Sequence, residues 1–245
     1  MFFKNHSFRA RYFLNHLCLS FAIGSLTAFT VYAVWYPGLL AKAVGVSHVF
    51  LLLLCIDVIA GPLMTLFLAK EGKKGVWFDL TAVIIIQFIA LIYGIWHIAE
   101  GRPAWQVINI YRVELVSALD MQYDHAKPPF SGNSWGSPGW ALVRPAKDKV
   151  EQSDWLWQEL EGHGSPAQRA ELFIPLDGNW QHIDKEVKPL DELERYNTAA
   201  AIAAMKREYP DADGFIPMIG SDMDMTVLVS RKKQKILAIA DLRPW

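Results

Sequence analysis

Three long stretches of this sequence carry almost no charge, and they constrain the fold more than any other feature. Residues 12–41 and 80–99 contain no Asp, Glu, Lys or Arg, and residues 43–69 contain only Asp57. About 20 apolar residues, each rising about 1.5 Å in an α-helix, cross the roughly 30 Å hydrocarbon core of a bilayer. The sequence therefore predicts three transmembrane helices, near 13–35, 47–68 and 77–98, within a transmembrane domain of residues 1–100.

Basic residues flank these spans unevenly, which predicts their orientation. The loop between the first two spans holds only Lys42, whereas the other two flanks hold three basic residues each: Lys4, Arg9 and Arg11, then Lys70, Lys73 and Lys74. Because loops on the cytoplasmic side carry the excess of Lys and Arg, the N-terminus is expected in the cytoplasm. Three crossings then place residues 101–245 in the periplasm of a bacterium. A cleaved signal peptide is disfavoured, since its apolar region is only about 7–15 residues long.

Residues 101–245 have the composition of a water-soluble domain, with 17 basic and 21 acidic side chains. Alternating apolar patterns predict strands at 105–117, 141–143, 214–220, 225–230 and 235–241, the last two joined in a hairpin. Helices are predicted at 151–160, 165–172 and 192–209. This order indicates an α+β domain with a mainly antiparallel sheet. The absence of a basic excess argues against a nucleic-acid partner.

Asp57 lies near the middle of the second predicted span, where a carboxyl group costs a few kcal/mol unless it is protonated, paired or turned inward. Gly61-Pro62 follows one turn later and removes a backbone donor, so the helix is expected to kink or loosen there. Two interpretations stay open. Asp57 contacts a polar or cationic group of a partner within the bilayer, or it bonds to Thr65, Gln87 or a freed carbonyl in its own bundle.

Small residues at Ala22, Gly24, Ser25 and Ala28 of the first span leave a similar choice. Small side chains let helix backbones approach closely in a membrane. This surface either accepts a helix from another protein or packs the three predicted helices together.

The sequence predicts no enzyme, no metal site and no cofactor. Residues 132–136 match the G-x-S-x-G pattern of serine hydrolases, but prolines and glycines flank them where that motif needs a strand and a helix. His125, His163 and His182 lack the spacing that places two metal ligands on one helix face. The two cysteines, Cys18 and Cys55, fall within the predicted spans and cannot form a disulfide framework.

Five ordered motifs give the chain a resemblance that runs nearly from end to end, although residues 125–190 match only loosely. The chain resembles the TfpX/TfpZ family of type IV pilin accessory proteins in these motifs: Trp35-Tyr36-Pro37-Gly38, residues 57–65, Gly72-Lys73-Lys74, Gly101-Arg102-Pro103 and Asp241-Leu242-Arg243-Pro244-Trp245. The resemblance implies an inner-membrane accessory that promotes assembly of one type IV major pilin. It implies no enzymatic activity and no cofactor, and it implies the major pilin and inner-membrane pilus assembly components as partners.

These observations together predict an assembly factor with two contacts, one on the pilin's membrane helix and one on its periplasmic head. Two tethered contacts raise the effective concentration, so each can be weak and still release the pilin. The candidate residues are Asp57, Gly61 and Pro62 for the membrane contact, and Trp135, Lys232 and Lys233 for the head contact. The competing hypothesis is a membrane-anchored sensor or regulator whose periplasmic domain binds an envelope signal. It is disfavoured because little predicted cytoplasmic chain is left to transmit a signal.

Overall fold

The computed structural model describes residues 2–132 and 135–245, with the side chains described from Phe8 onward. The chain folds as two compact units. The first consists of the chain up to Val34 together with Val46–Glu100, and the second consists of Trp35–Gly45 together with Gly101–Trp245. The short segment Trp35–Gly45 therefore groups with residues from the far end of the chain, which its position between two spans did not predict.

The first unit confirms the prediction of three helices that are long and apolar enough to cross a membrane. These helical stretches are Phe8–Trp35, Val46–Leu68 and Val76–Glu100. Helix α1 (Phe2–Phe29) continues into a π-helical stretch, Thr30–Trp35, and the third span is one α-helix. The third span is helix α5 (Val76–Glu100), and the short helix α2 (Leu40–Val44) belongs to the second unit.

The second span contains the predicted irregularity before Gly61-Pro62. Helix α3 (Val46–Leu54) passes into a π-helical stretch, Cys55–Ala60, and then into α4 (Gly61–Leu68). The N–H of Gly61 bonds to the carbonyl of Ile56, five residues back. Because Pro62 has no N–H to donate, a wider turn immediately before it accommodates the missing bond. The expected loosening is confirmed as a π-helical turn.

The second unit is built on a seven-stranded sheet in the order β4-β3-β1-β2-β5-β6-β7. The strands are β1 (Pro103–Asn109), β2 (Arg112–Ser117), β3 (Gly139–Val143), β4 (Phe173–Ile174), β5 (Gly214–Ile219), β6 (Met225–Ser230) and β7 (Lys235–Ala240). Neighbours pair antiparallel except for β1 with β3 and β2 with β5, which are parallel. The α+β class is confirmed, and the sheet is mixed.

Residues 105–117 were predicted as one strand, and this was wrong. They form a hairpin in which Asn109 pairs with Arg112 across the two-residue turn Ile110-Tyr111. Such turns need positive φ, which Asn or Gly normally supplies. Here Ile110 takes a φ of 54°, a strained value for a β-branched residue. No sequence signal for a turn was therefore present.

Of the three helices predicted in the second unit, one is confirmed and two are shorter than predicted. Helix α6 (Lys149–Leu160) confirms the helix predicted at 151–160 and begins two residues earlier, and α7 (Trp180–Asp184) was not predicted. Residues 165–172 form two 3-10 turns rather than one helix, and residues 192–209 divide into a 3-10 turn and α8 (Ala199–Glu208). Helix α8 begins after Thr198 because the Thr198 hydroxyl accepts a hydrogen bond from the N–H of Ala201 and caps the helix. Helix α8 covers one face of the sheet, where Ile202 and Met205 pack with Phe215 and Leu228.

Candidate functional site

A buried polar cluster lies inside the three-helix unit, and Asp57 is part of it. The Asp57 residue is only 6% exposed and sits in the π-helical stretch of the second span. The side-chain amide of Gln87, from α5, donates to the main-chain carbonyl of Asp57 at 3.2 Å and lies 3.5 Å from its carboxylate Oδ1. The structure therefore provides Asp57 with a partner in its own bundle, one of the partners the sequence suggested.

His16 completes this cluster from the first span. Its Nδ1 lies 2.6 Å from the hydroxyl of Thr65, and its ring is close enough to Asp57 for an electrostatic interaction. Ionisable groups inside a membrane bundle ordinarily face inward and pair with one another. The four side chains link all three spans through polar contacts.

Gly61 is needed at its position because of this cluster. A Cβ atom at residue 61 would overlap the side-chain amide of Gln87. Glycine thus leaves the space through which Gln87 reaches the carbonyl of Asp57. Pro62 is buried beside it at the start of α4. The predicted site residues of the membrane domain therefore adjoin one polar cluster, with Gly61 making room for it.

A shallow apolar groove of about 390 Å³ lies between the first and second spans. Its lining combines small residues of the first span with residues of the second: Phe21, Gly24, Ser25, Ala28, Leu51, Leu54, Cys55, Val58 and Ile59. Gly24 also packs internally, since a Cβ there would come within 3.0 Å of Leu54 and 3.3 Å of Val58. The structure confirms that Gly24 packs the helices together, and it places Gly24, Ser25 and Ala28 in an open groove. Binding of a helix from another protein stays a prediction.

Trp135 is held in the second unit by residues from two distant motifs. The indole N–H of Trp35 donates to the main-chain carbonyl of Trp135 at 3.1 Å, and the Arg102 guanidinium lies 4.5 Å above the Trp135 ring. Burial raises the pKa of the nearby Tyr36 phenol, and the charge of Arg102 opposes that shift. Burial likewise lowers the pKa of Arg102. The Trp135 side chain itself remains exposed.

The C-terminal motif is also tied to the segment between the first two spans. Lys42 pairs with Asp241, and the carbonyl of Ala43 accepts from the N–H groups of Asp222 and Met223 at 2.9 and 3.1 Å. Farther along, Asn197 exchanges two 2.8 Å bonds with the main chain of Arg243. Three of the five sequence motifs therefore lie in one folded unit, although more than 200 positions separate the first motif from the last.

The two predicted lysines lie in the turn between β6 and β7. Lys233 pairs with Asp211 at 2.6 Å, and the main-chain N–H of Lys232 lies 3.4 Å from a carboxylate oxygen of Asp213. The structure does not bring these lysines into contact with Trp135 in any described interaction. Their role in binding a partner stays a prediction.

The part of the chain that the structure describes holds no group of three His, Cys, Asp or Glu residues able to bind a metal. Asn133 and Ser134, the centre of the G-x-S-x-G pattern, lie outside the described residues.

Comparison with known proteins assigns the chain to a family. Two proteins of Dichelobacter nodosus, "Fimbrial assembly protein, serogroup I" and "Fimbrial assembly protein, serogroup E1", are each 31% identical to it over 180 residues, covering 71% of this chain and 70% of theirs. A third, for serogroups C1 and C2, is 34% identical over 111 residues, 44% of this chain and 85% of its own. The chain belongs to the family of fimbrial assembly proteins.

The sequence profile of this family, described as fimbrial assembly protein FimB, matches residues 4–38. In this fimbrial assembly protein, that region includes His16 of the polar cluster, Gly24 of the groove, and Trp35, which holds Trp135. No solved structure matches the chain.

His16 was not identified from the sequence, although a signal for it was present. It is one of the few polar residues in an uncharged run of thirty, at residues 12–41, and Asp57 occupies a similar run. Two ionisable residues in separate predicted spans are candidates to pair, because each alone is costly in hydrocarbon. The contact of the Arg102 guanidinium with the Trp135 ring could not be predicted, because no sequence spacing relates the two residues.

Proposed function

We propose that this protein is an inner-membrane accessory that assists assembly and surface display of a type IV major pilin, as the TfpX/TfpZ resemblance implies. The observation that carries the proposal is the family relationship over 71% of the chain, combined with three helices able to span a membrane. In this proposal the N-terminus is cytoplasmic, residues 101–245 are periplasmic, and the role is one of binding rather than catalysis.

The membrane contact in this proposal is the groove between the first and second spans. A pilin held in the membrane by one apolar helix presents a surface that fits a shallow, apolar groove floored by small residues. Cys55, Val58 and Ile59 line the groove from the same π-helical stretch that carries Asp57. A helix bound in the groove would therefore contact the π-helical stretch that carries Asp57 of the polar cluster.

The head contact in this proposal is the exposed Trp135 ring with the turn that carries Lys232 and Lys233. Trp135 presents a large amphipathic ring on a loop fixed by Trp35 and Arg102, which suits a weak and reversible contact. Weak contacts at both places agree with a factor that must release the pilin to the growing fibre.

Site-specific photocrosslinking to the pilin in intact membranes tests this proposal. A photoreactive residue at Ala28, in the groove, is expected to crosslink the pilin. The same residue at Leu26, which is exposed on the opposite side of the first span, is the matched control and is expected to crosslink little. Equal crosslinking from both positions, or none from Ala28, would contradict the groove assignment.

Asp57→Leu is the second test of the membrane contact. We expect the variant to insert normally, because Leu is favourable in hydrocarbon, and to crosslink the pilin less from Ala28. Unchanged crosslinking with normal insertion would remove Asp57 from the proposed contact.

A further inference from the structure

The buried polar cluster of the three-helix unit contains two ionisable side chains, His16 and Asp57, which come from different spans. Asp57 is only 6% exposed, and the His16 ring is close enough to it for an electrostatic interaction. An ionisable group is costly as an isolated ion in a membrane bundle, where such groups ordinarily pair with one another. The net charge of the cluster is therefore set by the number of protons that this pair holds.

His16 is the one charge available to balance Asp57 among the residues that the structure describes. It approaches from α1, whereas the other side chains of the cluster, Thr65 from the same span as Asp57 and Gln87 from α5, are uncharged. The Gln87 amide lies 3.5 Å from the carboxylate Oδ1, beyond the usual hydrogen-bond length of about 2.7–3.2 Å. Because one long bond solvates a buried carboxylate poorly, Asp57 needs either a positive partner or a proton of its own.

The cluster also has more hydrogen-bond acceptors than donors. The Oε1 atom of Gln87 is buried and has no hydrogen-bond partner in the described part of the chain. The Thr65 hydroxyl is already engaged with His16, and both oxygens of an ionised Asp57 only accept. One proton, whether on the carboxyl group or on the imidazole, converts an acceptor atom into a donor and reduces this excess.

We propose that His16 and Asp57 form a site for one exchangeable proton, and that the three-helix unit is most stable while the pair holds one proton. The pair is then neutral overall, either as a carboxylate beside an imidazolium or as a carboxylic acid beside a neutral imidazole. Loss of the proton leaves one negative charge, and a second proton leaves one positive charge. Either charge is unbalanced within the bundle, so stability is expected to fall on both sides of an intermediate pH. The inference is independent of the proposed function.

The ionisation of the unfolded chain sets the pH at which each decline begins. Exposed Asp and His ionise near pH 3.9 and about pH 6.5, respectively. Above about pH 6.5 the folded pair retains a proton that the unfolded chain has lost, so stability falls as the pH rises. Below about pH 3.9 the unfolded chain binds a second proton that the folded pair resists, so stability falls as the pH drops. On each side the unfolding equilibrium constant changes by up to about tenfold per pH unit.

Reversible unfolding of the full chain in mixed detergent micelles, from about pH 3 to about pH 9, tests the proposal. The double variant His16→Gln/Asp57→Asn has no ionisable group at either position, and its profile is subtracted to remove the titration of the rest of the chain. His16→Gln is expected to lose the acid decline and to lose stability from about pH 4 upward, since Asp57 alone is neutral when protonated. Asp57→Asn is expected to lose the alkaline decline and to lose stability below about pH 6.5, since His16 alone is neutral when deprotonated.

His48→Gln is the matched control, because His48 lies in α3 of the same unit but is exposed. It is expected to leave both declines unchanged. Two declines in either single variant would overturn the proposal, and so would identical profiles for the wild type and the double variant.

Proton release on unfolding provides a second measurement that does not depend on the single variants. The wild type and the double variant are unfolded near pH 7.5 in weakly buffered micelles, and the released protons are followed with an indicator dye. The wild type is expected to release about one proton more than the double variant. Equal release from the two proteins would show that the pair holds no proton in the folded state and would overturn the one-proton site.

Discussion

The contact between Gly61 and Gln87 makes a quantitative prediction about the stability of the membrane bundle. In Gly61→Ala, the added methyl group displaces the Gln87 amide and breaks its bond to the carbonyl of Asp57. Side-chain hydrogen bonds between membrane helices contribute about 0.6 kcal/mol on average and up to about 1.7 kcal/mol. Replacing glycine by alanine within a helix also stabilises it by up to about 1 kcal/mol. The two effects oppose each other, so the single variant is expected to differ little from the wild type.

A double-mutant cycle separates these effects. In a Gln87→Ala background the amide is absent, so Gly61→Ala retains only the gain in helix propensity and is expected to stabilise the bundle. The change in unfolding free energy caused by Gly61→Ala should therefore differ between the two backgrounds by about 1 kcal/mol. Reversible unfolding of the purified protein in mixed detergent micelles, followed by circular dichroism, measures all four variants. Values within about 0.5 kcal/mol of each other in the two backgrounds would mean that the residues are not coupled and would refute the assignment.

Three further predictions concern the second unit. Side-chain hydrogen bonds from Arg144 lower the pKa of Glu151 to about 2. This contact therefore stabilises the fold above pH 4.5, and its contribution is lost as the pH falls toward 2. In Glu151→Gln, the free energy of unfolding should depend less on pH between pH 4.5 and 2. Thr198→Ala removes the cap of α8 and should lower the unfolding free energy by about 1 kcal/mol in urea titration, and a change under about 0.3 kcal/mol would argue against the cap. Trp35→Phe removes the N–H that donates to the carbonyl of Trp135. One hydrogen bond contributes about 1 kcal/mol, so its loss should speed proteolysis of the Trp135 loop about fivefold. An unchanged rate would show that other contacts hold the loop.

The three long apolar helices could be predicted from the sequence because their signal is local and strong. Long uncharged runs are typical of helices that can cross a membrane, and Gly61-Pro62 predicted the irregular turn. The cost of a carboxyl group in hydrocarbon marked Asp57 as a residue that needs a polar partner, but it did not decide between a partner in its own bundle and one in another protein. These inferences depend on solvation and backbone chemistry, which act over a few residues.

The features that could not be predicted depend on contacts between distant residues or on strain. Trp35 and Trp135 are a hundred residues apart, and no periodicity relates them. The turn at Ile110 lacks the glycine or asparagine that announces such turns, because the pairing of β1 with β2 imposes its conformation. Helix α6 was predicted as a helix, but its contacts with the domain include bonds from Arg144 and Arg169, which lie outside it.

The amount of pilin on the cell surface, compared with the total amount in the same cells, tests the central claim most directly. The gene is deleted, and surface fibres are sheared and quantified beside whole-cell pilin, with complementation by the wild type and by Asp57→Leu. We expect normal total pilin with little on the surface, and we expect surface pilin to be restored by the wild type and less well by Asp57→Leu. Unchanged surface pilin in the deletion strain would contradict a role in assembly and would favour the sensor hypothesis.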